Sequence, residues 1–235
     1  MNYNIIESGS KGNCIIVEDL LMLDCGCSYT KIKKYLKDVK LIFISHVHKD
    51  HLLPATVKMV TYNFPNIKFV CGSEYVVTRL VLDCNVSEKN IYVLKKDTWF
   101  DLGLLKVKMQ ELAHDTPNYL LKFEIKAKKG IYIVDTENVK DIKAKDYDLF
   151  LIESNYKEEI LQNHIMNCEN DDELYYLKRV PNTHLSFEQA NGFLIENMKQ
   201  ESQFEYIHKS NYNFEEEKWN YLILKMKMEI IKSQK

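Results

Sequence analysis

The order of elements in this 235-residue chain predicts an α/β sandwich, two mixed β-sheets packed together with helices on the outer faces. Three observations carry that prediction. Short apolar or alternating strand segments follow one another along the length and are interleaved with helical segments, the pattern of layered α/β proteins. No repeat, Gly/Ser linker or low-complexity tract divides the chain, so residues 1–235 read as a single domain. The length is ordinary for one α/β domain with a sizeable core.

Taken in order, strands are predicted at 3–7, 14–17, 20–24, 41–45 and 68–71, where β-branched and apolar residues run between turn formers. Further strands follow at 91–94, 104–112, 119–127, 131–135, 148–153 and 204–208. Helices are predicted at 29–36, 51–62, 74–83, 157–166, 171–179, 187–199 and 214–232. Ser186 with Gln189 three residues on forms a capping box for the sixth, and Asn213 with Glu216 does so for the last. That last helix carries Trp219, Leu222, Ile223, Met226 and Ile230, more apolar surface than one core stripe needs, which suits a homodimer contact or packing on its own sheet.

Chemistry concentrates where the apolar run Leu41-Ile42-Phe43-Ile44 ends, in Ser45-His46-Val47-His48-Lys49-Asp50-His51. In extended chain, side chains two apart share a face, so His46 and His48 can hold one ion. Asp50 and His51 come where the chain turns toward a helix and point to a second ion. Imidazole and carboxylate suit zinc, manganese or iron. Two ions need more ligands, and the ends of later strands supply candidates in His114, Asp135 and His208, with Asp135 placed to bridge. Each of these alone is as compatible with a turn or cap residue as with a ligand.

These residues resemble the metallo-β-lactamase fold family, whose di-metal hydrolases carry His-x-His-x-Asp-His followed by His, Asp and His. His46, His48, Asp50, His51, His114, Asp135 and His208 match in order. A closer likeness is to the YycJ (WalJ) type of bacterial and phage proteins, which look like metal-dependent DNA exonucleases. It rests on Glu7-Ser8-Gly9-Ser10-Lys11-Gly12-Asn13-Cys14, His114-Asp115, Val134-Asp135-Thr136, Glu153-Ser154-Asn155, Leu177-Lys178-Arg179, Thr183-His184-Leu185-Ser186 and His208-Lys209-Ser210-Asn211. Where the family usually has Gly, this chain has Thr183 before the His-Leu-Ser triplet and Glu137 after the Asp-Thr pair, and its last motif reads His-Lys-Ser.

The resemblance implies an αββα sandwich holding two divalent ions, zinc first and manganese as the alternative. It also implies Asp50 as the group that orients the attacking water and takes its proton. His184 could itself be proposed as the last ligand. The strand end favours His208 for that place, and the similarity to the His-Leu-Thr segment of ribonuclease Z implies transition-state stabilisation or leaving-group protonation for His184. Asn155, Arg179 and Ser186 are the candidate substrate contacts. The implied reaction is hydrolysis of a phosphodiester in nucleic acid, DNA first. A small cyclic or modified nucleotide is the alternative, as is a lactone, thioester or β-lactam on the same metals.

Charge sets a limit on the nucleic-acid reading. Net charge is −2, and basic runs such as Lys31-Ile32-Lys33-Lys34 are local, so no broad electrostatic footprint is present. Arg79 and Arg179 are the two arginines, which leaves few groups for bidentate phosphate contacts. The six cysteines read as free thiols, Cys25-Gly26-Cys27 among them, since the N-terminus lacks a secretory pattern. No apolar run approaches the ~20 residues of a membrane span. A cytoplasmic enzyme is expected, and the lysine-rich, arginine-poor composition suits an AT-rich phage or Gram-positive genome.

Overall fold

A computed structural model describes residues 1–210, Lys225 and Glu229; the predicted helix 214–232 and its apolar face lie outside the described residues. The chain forms two compact units, Met1–Lys128 and Lys129–Lys235. In the first, strands β1 (Tyr3–Glu7), β2 (Cys14–Val17), β3 (Leu21–Leu23), β4 (Leu41–Phe43), β5 (Lys68–Cys71) and β6 (Ile91–Val93) make one six-stranded sheet in sequence order. The β1/β2 and β2/β3 pairs are antiparallel, and those from β3 to β6 are parallel. Strands β2, β3 and β4 are buried at every position, as uninterrupted apolar strands in the middle of a covered sheet must be.

The second sheet is also mixed and six-stranded. Strands β7 (Phe100–Asp101), β8 (Lys106–Leu112) and β9 (Asn118–Ile125) come from the first unit, and β10 (Lys128–Ile133), β11 (Tyr147–Glu153) and β12 (Met198–Ile207) follow. Val107, Met109 and Leu112 of β8 are buried while Lys106 and Glu111 are exposed, the alternation of a half-covered strand. In the second unit β10/β11 and β11/β12 run parallel. The helices are α1 (Tyr29–Ile32), α2 (Pro54–Asn63) and α3 (Glu74–Thr78) in the first unit, and α4 (Glu158–Asn167), α5 (Asp171–Arg179) and α6 (Phe187–Asn197) in the second.

Several boundaries differ from expectation for identifiable reasons. Helix α2 starts at Pro54 rather than at residue 51. Proline excludes its predecessor from helical backbone, and Leu53 is extended at φ −91°, ψ 104°. His48 to Leu52 therefore form a separate turn, closed by amides of His51 and Leu52 on the His48 carbonyl. Helix α6 ends at Asn197, whose side chain donates back to the Phe193 carbonyl and accepts the Ala144 amide. Strand β12 then begins at once and absorbs an irregularity at Ser202, which bonds the Lys199 amide and the Tyr147 carbonyl. The helix expected over 74–83 is α-helical only to Thr78 and widens into a π turn over Arg79–Asp83.

The loop carrying the histidine cluster is fixed by main chain. The amide of Asn13 donates to the Asp50 carbonyl at 2.6 Å, Cys25 to His51 at 2.8 Å, and Leu53 to Cys25 at 3.0 Å. Gly26 lies flat against this loop, where a Cβ would overlap the Asp50 carbonyl group. Gly26→Ala is expected to lower stability by about 3 kcal/mol, since neither strand of main chain can retreat; chemical denaturation checks it, and a change below about 0.5 kcal/mol contradicts the packing argument.

Candidate metal centre

In the first unit three imidazoles converge. His46 and His48 follow β4 and His114 follows β8. Their ring centroids are 4.6 Å (His46–His48), 5.1 Å (His46–His114) and 5.2 Å (His48–His114) apart. His46 is fully buried, with Nδ1 3.0 Å from the Ser45 hydroxyl. Nε2 of His114 lies 3.4 Å from Nδ1 of His48. A neutral imidazole offers one donor and one acceptor, and a cationic one repels its neighbours, so three at this spacing suit a divalent cation far better than each other.

Beside them stand Asp50 and His51. Nδ1 of fully buried His51 is 2.6 Å from Oδ2 of Asp24, also fully buried, which makes Nδ1 the protonated nitrogen and leaves Nε2 as a lone-pair donor. That Nε2 is 3.3 Å from Oδ2 of Asp50. The Asn13 amide group reaches Nε2 of His51 at 3.0 Å and Asp50 Oδ2 at 3.3 Å. Asp24 in turn accepts from the Ser45 amide (2.7 Å) and hydroxyl (2.9 Å).

In the second unit Asp135, Glu153, His184 and His208 offer ligand atoms within 4.8 Å of one another. Asp135 follows β10, Glu153 ends β11, His184 precedes α6 and His208 follows β12. His184 and His208 stack at 5.3 Å and 22°. Nδ1 of His184 is 2.6 Å from Glu153 Oε1 and 3.2 Å from Asp135 Oδ1, and Nδ1 of His208 lies 3.2 and 3.1 Å from the same two oxygens. Burial pulls the His184 pKa down, but the neighbouring carboxylates, Glu153 foremost, outweigh it and raise it to about 11, so this ring carries its second proton at neutral pH. Glu153 is fully buried, and its Oε2 accepts the amides of Thr136 (3.1 Å) and Leu185 (3.2 Å).

The structure thus brings His46, His48, Asp50, His51 and His114 into one cluster and Asp135, His184 and His208 into another. The candidate substrate contacts are placed differently. Asn155 is buried, and its amide group donates to the His208 carbonyl at 3.0 Å. Ser186 is fully buried as the cap of α6, with the predicted capping box to Gln189, and its hydroxyl lies 3.0 Å from Glu158. Arg179 ends α5 exposed, 5.8 Å from the Tyr175 ring centroid. Glu153, Asp24 and Asn13 are positioning residues that residue type alone did not single out. For the two acids the signal was a carboxylate ending an apolar strand. All six cysteines are free; burial holds the Cys25 thiol well above its usual range, while the hydrogen bond from Cys14 lowers that of Cys27, so the two do not form a matched thiolate pair.

Comparison with known proteins bears on the fold. No family model matches the chain. The exodeoxyribonuclease YycJ of Bacillus anthracis is 26% identical over 179 residues, 69% of this chain, and the chain spans 66% of that relative's length, just short of two thirds. Among solved structures, the metallo-β-lactamase fold protein YhfI of Bacillus subtilis superposes with a TM-score of 0.69 at 13% identity, over 96% of this chain and 92% of that one. Zinc-bound PqqB of Methylobacterium extorquens gives 0.66 at 12% identity over 96% of each chain. The short form of human tRNase Z gives 0.61 at 15% over 90% and 93%. The chain has the metallo-β-lactamase fold.

The contact between Asp24 and His51 generates a prediction. Asp24→Ala removes the acceptor that sets the His51 tautomer and is expected to weaken zinc binding by about 10–100-fold. Titration against a chromophoric chelator measures this, with circular dichroism confirming the fold, and unchanged affinity would show that Asp24 does not position the ligand.

Proposed function

We propose that the chain is a metal-dependent phosphodiesterase acting on nucleic acid, DNA first, with two zinc-class ions. The observation that carries this reading is the triangle of His46, His48 and His114 beside Asp50 and His51, a ligand set with no other economical use. By the resemblance, His46, His48, Asp50, His51, His114, Asp135 and His208 would hold the ions. The support is the His-x-His-x-Asp-His spacing, the order of the later ligands, and likeness to an exodeoxyribonuclease and to a tRNase Z.

The ions would supply Lewis acidity and an acidified water. The chain's own groups do the rest. Asp50, held by Asn13, orients the attacking water and accepts its proton. His184, kept protonated by Glu153 and Asp135, gives a proton to the departing oxygen. Net charge −2 favours, as a second reading, a small nucleotide over a long polyanion.

Metal-stripped protein refilled with zinc or manganese is expected to hydrolyse bis(p-nitrophenyl) phosphate, with Asp50→Ala at least 100-fold slower. Retention within tenfold refutes the role of Asp50, and no release with either ion refutes the phosphodiesterase. Labelled single-stranded DNA against a cyclic nucleotide then separates the two substrate readings.

His184→Ala is expected to cost about 100-fold or more on DNA, whose alkoxide leaving group needs a proton. On bis(p-nitrophenyl) phosphate the loss should stay within tenfold, because p-nitrophenolate leaves without one. Equal losses on both substrates would remove His184 from leaving-group protonation.

A further inference from the structure

Strands β4 and β5 are parallel neighbours, with Ile42 opposite Phe69 and the Ile44 amide bonded to the Val70 carbonyl, so the chain leaves both strands at the same edge of the sheet. After β4 comes the histidine loop; after β5 comes α3. Between them opens a cavity of about 470 Å³ lined by Val47, Glu74, Tyr75, Thr78 and Arg79, a size common for ligand sites. Val47 is the residue between His46 and His48, so the cavity adjoins the metal ligands along the chain.

The lining has a definite chemistry. Tyr75 is 66% exposed, which leaves its ring open to a stacking partner. Its backbone is anchored, because its amide caps onto the Ser73 hydroxyl at 3.1 Å. Arg79, one of two arginines, is tied through Nε to Asp83 at 2.7 Å, which fixes the guanidinium plane while spending one of its five donors. It stands at the start of the π turn over Arg79–Asp83, a helix widening that recurs at functional sites. Glu74 disfavours a phosphate in this cavity but accepts well from the N–H edge of a base.

We propose that this cavity is a nucleobase subsite. The base next to the scissile phosphodiester stacks on Tyr75 and the Arg79 plane, with its amino or imino edge toward Glu74. A base can enter only when unpaired, so the substrate is a single-stranded nucleic acid or a frayed end. Stacking also supplies affinity that the arginine-poor, net-acidic chain cannot draw from phosphate contacts alone. The inference rests on the phosphodiesterase reading and specifies its substrate.

The test is fluorescence anisotropy with zinc-loaded full-length protein carrying Asp50→Ala, so that the strand is not consumed. A labelled five-nucleotide deoxycytidine strand is compared with an abasic strand of equal length. The base-bearing strand is expected to bind about tenfold tighter or more. Adding Tyr75→Ala should abolish that preference, and Tyr75→Trp should keep it. Tyr75→Ala should match its parent in circular dichroism and in bound zinc, so that a lost preference is not a loss of fold or metal. Equal binding of the two strands, or a preference that survives Tyr75→Ala, overturns the subsite. Failure of bis(p-nitrophenyl) phosphate hydrolysis in the parent overturns the phosphodiesterase instead, while base-dependent binding would still stand.

Discussion

A carboxylate with no exposure to solvent, Asp24, is the constraint on which the histidine loop depends. It gathers the Ser45 amide, the Ser45 hydroxyl and Nδ1 of His51 onto its two oxygens, joining the end of β3 to both ends of the ligand loop. Burying such a group is tolerable only because each oxygen is paired, and removing its imidazole partner would strand a charge at a cost of about 3–5 kcal/mol. The order of assembly follows. The apolar strands β2 to β4 bring Asn13, Asp24 and Ser45 together, and the ligands inherit their positions from that sheet.

The second unit repeats the device with different residues. Glu153 is likewise fully buried at the end of an apolar strand, accepts two main-chain amides, and holds the Nδ1 atoms of His184 and His208. Asn155 fastens the main chain of His208 through its carbonyl. Asp24 fixes which nitrogen of His51 carries the proton, and Glu153 does so for His208. Within each unit the ligands and their supports form a hydrogen-bonded set at the strand ends.

Much of this was legible in the chain. His-x-His-x-Asp-His is chemically loud, and apolar runs of three to five residues marked the strands because their burial is uninterrupted. What escaped was governed by tertiary bonding. Residues 51–53 read as the first turn of a helix by composition, and the conformational restriction imposed by Pro54 had to be weighed to exclude them. The start of β12 at Met198 was hidden by helix-forming residues there, which pairing with β11 overrides. Asn155 looked like a polar residue awaiting a ligand, whereas the structure uses it on the His208 carbonyl; Ser186, named both as the α6 cap and as a substrate contact, is fully buried as the cap. A polar residue two positions from a ligand is as often a fastening as a contact, and sequence spacing does not distinguish the two.

Asp24, Asp135 and His208 share one more property, left-handed backbone at φ 58°, 49° and 52°. Asp and His tolerate that region better than β-branched residues do, but it still costs energy for a side chain bearing a Cβ. Each sits just beyond a strand, where continuing the pleat would have sent its side chain to one face or the other. The reversal swings the side chain off the end of the sheet instead. The strain is offset by the contacts that each geometry permits, Asp24 with His51, Asp135 with His184 and His208, and His208 with Glu153, the pattern expected where a site dictates backbone that the strand itself would not choose.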